Sequence, residues 1–286
     1  YWSDGMVRVS GREYNGVVES PCHERGELSC LSCHAMHQSK PDDQLSEKMA
    51  TNHACLQCHT SIKTSEHTKH LPNSSGSECY NCHMPHTTYG LLKAIRSHQI
   101  DSPSLKRSQE TGRPNACNLC HLDKTLAWTA KYLSDWYGHK PVALDSDERS
   151  ISAALLWLLK GDAGQRALVA WSMGWPAAKA ASGHAWLAPF LSELLMDPYS
   201  AVRYIAFKSL SAMSEDYRKL EYDFVDSADA RMRLKHEVAE IWKRSQAKLP
   251  GRASPEILIE PGGILKHDAV QRLLQQRNNR SMDLQE

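Results

Sequence analysis

Apolar and polar positions follow two regimes along this chain. From Leu122 onward, apolar residues recur at helical spacing. Leu126, Ala127, Ala130 and Leu133 make one such stripe, which ends at Gly138. Further helices are predicted over Glu148 to Lys160, Gly164 to Gly174, Trp186 to Met196, Tyr199 to Met213 and Ala228 to Ala247. Gly161, Gly174, Pro176 and Pro198 punctuate them. Asp145-Ser-Asp147-Glu148 reads as acidic residues at a helix N-terminus. Lys140 to Asp147 reads as a linker and residues 248–264, rich in Pro and Gly, as a linker or docking arm. Ile264 to Arg277 reads as a last helix and Arg280 to Glu286 as a loose tail. Before Leu122 the chain is loop-rich, with a short helical pattern over Leu91 to Arg96. No convincing alternating strand pattern precedes Ile257-Leu-Ile259.

Composition sharpens this division. All nine cysteines lie between Cys22 and Cys120, and eleven of the fifteen histidines between His23 and His121. One tryptophan precedes residue 125 and seven follow it; all three phenylalanines are in the second part. Charge does not split: residues 1–124 hold 13 basic and 13 acidic residues, and the remainder 21 and 20. The halves therefore differ in what fills their interiors, and something other than large side chains must supply the first. The net charge of +1 argues against a nucleic-acid partner. The longest apolar run, Ile151 to Leu159, is half the roughly 18 residues of a membrane span. The chain begins at Tyr1 without a charged-then-apolar leader, as expected of a processed or truncated form.

Eight of the cysteines form four copies of one pattern: Cys30-Leu-Ser-Cys33-His34, Cys55-Leu-Gln-Cys58-His59, Cys79-Tyr-Asn-Cys82-His83 and Cys117-Asn-Leu-Cys120-His121. Two thiols three positions apart share one side of a helical turn, where they can add to the two vinyl groups on one haem edge. The next residue then presents its imidazole to the iron as proximal ligand. Paired CxxC motifs also make zinc sites, but zinc needs no His after each pair. With 15 His in 286 positions, four such placements have chance odds on the order of 10⁻⁵. A redox CxxC would occur once. The reading is four covalently bound c-type haems.

Each iron takes a sixth ligand to become a low-spin carrier. Seven histidines of this region are not proximal: His23, His37, His53, His67, His70, His86 and His98. Met36 and Met84 stand too close behind their own proximal His to cross the haem. His37 and His86 each follow a proximal His by three residues. On a helical turn they would share its face and so ligate a neighbouring haem. The alternative for them is a surface His bonded to a propionate. His67 and His70 are also three apart, and His70 precedes Leu71-Pro72, an extended step. His37, His70, His86 and His98 are the favoured distal ligands, with His67 in reserve. His53 lies close to the attachment edge at Cys55, and His23 stays open. The ninth cysteine, Cys22, is a buried thiol, an intermolecular disulfide or an unusual ligand. His184, His236 and His267 read as ordinary histidines, and no Gly-rich phosphate loop, G-x-S-x-G or HExxH occurs.

Residues 20–125 resemble the multihaem c-type cytochromes, in particular the tetrahaem and doubled-CxxCH group. The carriers are the four CxxCH motifs, the Cys33-His34-Ala-Met-His37 and Cys82-His83-Met-Pro-His86 extensions, and the His70-Leu-Pro72 step. The resemblance implies haem attachment outside the cytoplasm, hence a periplasmic or cell-surface protein. Asp197-Pro198-Tyr-Ser-Ala-Val202-Arg203-Tyr-Ile-Ala206 resembles a HEAT-like helical repeat, with the Asp capping the second helix of a hairpin. In that pattern Val202, Ala206 and Leu210 face the partner helix. A weaker echo starts 35 residues earlier at Asp162, with Arg166, Ala167 and Leu168; a generic helical bundle obeys the same periodicity. The expected architecture is mainly α: a haem-packed, loop-rich tetrahaem domain over residues 1–138, a HEAT-like α-helical domain over 139–247, and a C-terminal arm with a short helix over 248–286. The expected function is electron transfer through closely spaced bis-His haems to partner redox proteins, or between copies in an oligomer or filament. Bond chemistry is not required. The alternative is an oxidoreductase with one open iron that reduces a small nitrogen or sulfur oxyanion.

Overall fold

The structure, a computed structural model, describes residues 1–9, 12–37, 39–248 and 253–280, with the backbone alone for 246–248. The end of the expected tail, residues 281–286, lies outside the described residues. The chain divides into two compact units, one of residues 1–87 with 95–103, the other of residues 88–94 with 104–286.

Short elements build the first unit: α1 (Glu13–Val18), α2 (Pro21–Glu24), a 3₁₀ turn at Cys30–Ser32, α3 (His53–Leu56), α4 (Thr64–Thr68), a 3₁₀ turn at Ser75–Ser77, and α5 (Cys79–His83). The longest helix has six residues, well short of a length that is stable alone. Its buried apolar side chains, Trp2, Met6, Val9 and Val17, all lie near the N-terminus. Between Val17 and Leu91, every buried side chain among the described residues is polar: Ser20, Thr68, Ser77, Asn81, Thr87 and Thr88. No side-chain core underlies the first three CxxCH motifs.

Strands β1 (His86–Tyr89) and β2 (Lys93–Arg96) pair in a two-stranded sheet. The helix expected over Leu91 to Arg96 is therefore a turn and a strand, and strands do occur before Ile257. Leu91 adopts a left-handed φ of 58°, which breaks a helix at its first residue. The β-branched Thr87 and Thr88 in β1 favour the pleated alternative.

The second unit is helical. Its elements are α6 (Leu105–Thr111), α7 (Ala116–Cys120), α8 (Leu126–Tyr137), α9 (Ser146–Ser150), α10 (Ala153–Lys160), α11 (Ala163–Gly174), α12 (Pro176–Ser182), α13 (Ala188–Glu193), α14 (Ser200–Ser211), α15 (Glu215–Arg218) and α16 (Ala228–Lys248). The helix expected over Glu148 to Lys160 is split. Ile151 is extended, and the Ser152 hydroxyl caps α10 by accepting from the Leu155 N–H. The acidic stretch does cap α9, through a reciprocal Asp145–Glu148 box. Helix α10 is buried on nearly every face, as its apolar composition requires. It packs on α11, α11 on α14, and α13 on both α14 and α16.

Asp197 does not cap α14, whose N-cap is Tyr199. It is fully buried in a bidentate pair with Arg166, Nε to Oδ2 at 2.7 Å and Nη2 to Oδ1 at 3.1 Å. Arg166 also donates to the carbonyls of Gly161 at 2.7 Å and Asn278 at 2.9 Å. Val202, Ala206 and Leu210 are buried. The segment expected as a linker arm is packed: Ile257, Leu258 and Ile259 are buried. There β3 (Ile259–Glu260) pairs antiparallel with β4 (Ile264–Leu265), followed by α17 (His267–Gln275).

Candidate haem-binding sites

All four CxxCH motifs sit on single helical turns: the 3₁₀ turn at Cys30–Ser32, α3 leading into Cys58, the whole of α5, and α7. In the first, second and fourth, the histidine N–H donates to the carbonyl of the first cysteine, at 2.9, 2.9 and 2.8 Å. That bond closes one turn, which brings positions i and i+3 to the same side. None of the nine cysteines is in a disulfide.

Two proximal imidazoles are held by backbone. His34 donates from Nδ1 to the Asp43 carbonyl at 3.0 Å, and His83 to the Asp101 carbonyl at 2.8 Å. A donated Nδ1–H fixes the tautomer, leaves Nε2 as the metal-binding nitrogen and raises its basicity. The same clamp occurs on three other histidines. His98 donates to the Arg96 carbonyl at 3.2 Å, His70 to Thr68 at 2.6 Å and His23 to Leu28 at 2.7 Å. These acceptors are main-chain groups supplied by loop geometry, so residue identity carries no signal of them.

Two ring pairs join a motif histidine to one outside the motifs. His34 and His98 have ring centres 6.2 Å apart with planes inclined by 26°. His67 and His83 are 6.0 Å apart with planes inclined by 13°. Burial lowers the pKa of His98, opposed by Glu13 and the Arg96 carbonyl; burial, then His83 and Lys69, lowers that of His67. His86 is lowered to about 3 by burial and by the Arg96 guanidinium. It opens strand β1, and α5 ends at His83, so the two do not share a helical face. His37 is exposed and outside any helix, so the same spacing argument fails there. His70 packs on Gly76, where a Cβ would stand 2.1 Å from its ring.

The second and third motifs are neighbours. Asn52, just before α3, donates to the Ser77 carbonyl and accepts from the Cys79 N–H, both at 2.8 Å. Burial and the hydrogen-bonded Cys79 thiol push Cys55 up to about 12; burial takes Cys82 to about 11 and also raises Cys33. Arg96 braces the third motif by donating to Asn81 and to the carbonyls of Tyr80 and Met84. Sequence reading singled out neither Asn52 nor Arg96; each acts on elements distant in the chain.

The fourth motif belongs to the second unit, whereas the expected boundary at 138 groups it with the other three. Here α7 rests on apolar packing, with Ala116, Leu119, Leu122 and Leu126 buried. Asn118, fully buried, donates to the Lys124 carbonyl at 3.0 Å and accepts from the Thr129 hydroxyl at 2.7 Å. His121 stands 4.9 Å from the Trp128 ring, and Trp128, Tyr132 and Trp136 follow at 4.7 and 4.6 Å along one face of α8. Their spacing of four explains that alignment.

These residues fit covalent haem. Paired thiols outside any disulfide share one turn, the following imidazole is tied at Nδ1 in two of the four motifs, and among the described residues buried apolar filler is missing where three haems would lie. A family model for the doubled CXXCH motif matches residues 20–64, which hold the first two motifs. No curated protein and no solved structure matches the chain. The match supports a multihaem c-type cytochrome with covalently bound haem, and with it electron transport. Among the described residues, no helix is long and apolar enough to cross a membrane.

Proposed function

We propose that the chain is a tetrahaem electron carrier, with three haems held by the first unit and one by the second. The observation that carries this reading is the contrast in cores. Among its described residues the segment with three CxxCH motifs buries no apolar side chain between Val17 and Leu91, yet two of its proximal imidazoles are already tied at Nδ1. When bound, the haems supply one-electron exchange at iron. The protein's part is to hold the His34 and His83 imidazoles by Nδ1, to offer two thiols per haem edge, to fix the second and third motifs relative to one another through Asn52, and to brace the third through Arg96. The distal nitrogens come from the set His37, His67, His70, His86 and His98. Haem attachment of this kind is extracytoplasmic, so the working place is the periplasm or the cell surface, and the partners are other redox proteins or further copies of the chain.

The helical unit is read as HEAT-like. Two successive helix pairs, α10 with α11 and α13 with α14, stack so that α11 lies on α14 and α10 on α13. The Arg166–Asp197 pair ties the first to the second across 31 residues. Stacked pairs of this kind offer an extended surface for a partner.

The test is a haem count with a ferric-state spin census by low-temperature EPR on the haem-loaded protein. Four haems per chain, all low-spin, are the expected result. Fewer than four overturns the tetrahaem reading. One high-spin haem favours the alternative, reduction of a small nitrogen or sulfur oxyanion at an open iron.

A further inference from the structure

We propose that His98 is the second axial ligand of the haem iron held by His34, and that His67 is the second axial ligand of the one held by His83. The proposal rests on the haem-carrier reading and adds to it which residues meet across which iron.

The ring geometry carries it. Two imidazoles each bonded to one metal at about 2 Å hold their ring centres roughly 6 Å apart. The two pairs stand at 6.2 and 6.0 Å. Offset aromatic stacking also tolerates such a separation, so a second feature has to decide. In both pairs one ring follows a CxxC and the other belongs to no motif, which is the division of labour a haem requires. In the first pair both outer nitrogens are tied, His34 to Asp43 and His98 to Arg96. Each ring therefore keeps Nε2 for the metal. His83 is tied in the same way to Asp101.

The fold also places His98 deliberately. Its segment runs against α1 so closely that a Cβ on Gly16 would stand 2.7 Å from the Gln99 nitrogen and 2.9 Å from the His98 carbonyl carbon. The Ser20 hydroxyl meets both the His98 carbonyl, at 3.0 Å, and the Ile100 N–H, at 2.8 Å. A histidine held by close backbone contact and a serine clamp on each side of its peptide is anchored as a ligand must be. His67 sits in α4, sixteen residues before its partner, and His98 sixty-four residues after its own. Neither spacing is a motif.

The test uses the full haem-loaded chain, with the haem count and EPR spin state as readouts. His98→Ala and His67→Ala are each expected to convert one haem to high-spin at an unchanged haem count, with low-spin character restored by added imidazole. The pairing is read by removing a haem. In a Cys30→Ala/Cys33→Ala background, which lacks the first haem, His98→Ala is expected to create no high-spin signal. In a Cys79→Ala/Cys82→Ala background the same holds for His67→Ala. A new high-spin haem in either background overturns the corresponding pair, as does a wild-type spectrum in either single variant. If an alanine variant does not load haem, His98→Met and His67→Met decide. Each is expected to raise the potential of one haem, as a thioether ligand does, and no shift overturns the assignment. The planes, inclined by 26° and 13°, further predict rhombic low-spin signals for these two haems, and strongly axial ones count against the pairs. A protein that carries no covalent haem sinks the carrier reading itself; loaded haems indifferent to both substitutions sink the pairing alone.

Discussion

Withholding haem is expected to unfold the segment from Ser20 to Thr87 while leaving the helical unit intact. Ordering one backbone residue costs about 1–2 kcal/mol. A fully buried Leu side chain offsets about 1.5–3 kcal/mol, and between Val17 and Leu91 no apolar side chain is buried among the described residues. What remains is hydrogen bonding, at about 0.5–1.5 kcal/mol net for each bond. The bonds of Asn52 to Ser77 and Cys79, and of Asn81 to Ser75 and Glu78, are of this kind. One bond per residue at the upper figure only balances the backbone term. The segment therefore has no surplus of its own, whereas α10, α11 and α14 bury Leu155, Leu158, Leu159, Val169, Met173 and Leu210 almost completely. Hydrogen exchange read by mass spectrometry separates the two. In the haem-free chain with reduced thiols, amides of α3 and α5 are expected to open at about 0–1 kcal/mol, against several kcal/mol for α11. With haem attached, α3 and α5 join the protected set. Protection of His53–Leu56 and Cys79–His83 in the haem-free chain at the level of α11 would refute the reasoning.

Three further outcomes follow from single contacts. Arg166→Met leaves Asp197 fully buried with, among the described residues, only Arg277 Nη1 at 3.4 Å and the Tyr199 N–H on its carboxylate. It is expected to cost about 3–5 kcal/mol in urea unfolding followed by circular dichroism; a loss below 1 kcal/mol would show that the pair is not structural. Gly16→Ala drives a methyl into the His98 segment and is expected to cost about 1–3 kcal/mol, read as a lower melting temperature of the haem-loaded protein. An unchanged melting temperature removes the close approach. Asp147 is bonded by Arg272 at 2.8 and 3.0 Å and by Lys160 at 3.4 Å, and its carboxyl is held below the usual range, first by Arg272. A depressed folded pKa gives stability that is complete above the unfolded value near 3.9 and is lost as pH falls through the folded one. Asp147→Asn is thus expected to cost about 0.5–1 kcal/mol after solvent screening at pH 7, a cost that shrinks as pH falls through the folded pKa. A pH-independent difference would assign the loss to packing.

The four CxxCH motifs were legible in the sequence because the chemistry they offer is local: two thiols and an imidazole within one turn, wherever that turn sits. The interior of the first unit was legible by elimination, since a chain that places seven of its eight Trp and all three Phe beyond residue 125 must fill the earlier part largely with something else. Strand β2 was not legible. Leu91 to Arg96 has a helical pattern of side chains, but the left-handed Leu91 and the pairing with β1 set its conformation. Tertiary contact overrode a weak local preference. The N-cap expected at Asp197 failed in the same way: a carboxylate before a helix caps it by default, unless a buried guanidinium reaches it first, as Arg166 does.

The histidines proposed as distal ligands are the hardest to read from the sequence. Spacing by three suggests a shared helical face for His83 and His86, and for His34 and His37, yet no helix continues past either motif. The partners that the rings do meet lie at separations with no period, sixty-four and sixteen residues. The clamps that orient them are carbonyls of Asp43, Arg96 and Asp101, main-chain atoms that any residue would provide. A covalent attachment site is written in residue identity because specific atoms must react. A coordination partner is written in loop geometry because any histidine brought to the right place will serve. The fourth motif stands apart from the other three on this account. Its turn is fixed by Leu119, Leu122 and the Asn118–Thr129 bond of the helical unit, so it is expected to keep its shape when haem is withheld. Protection of α7 amides in the haem-free chain, alongside loss at α3 and α5, would distinguish a haem docked on a folded scaffold from haems that are themselves the scaffold.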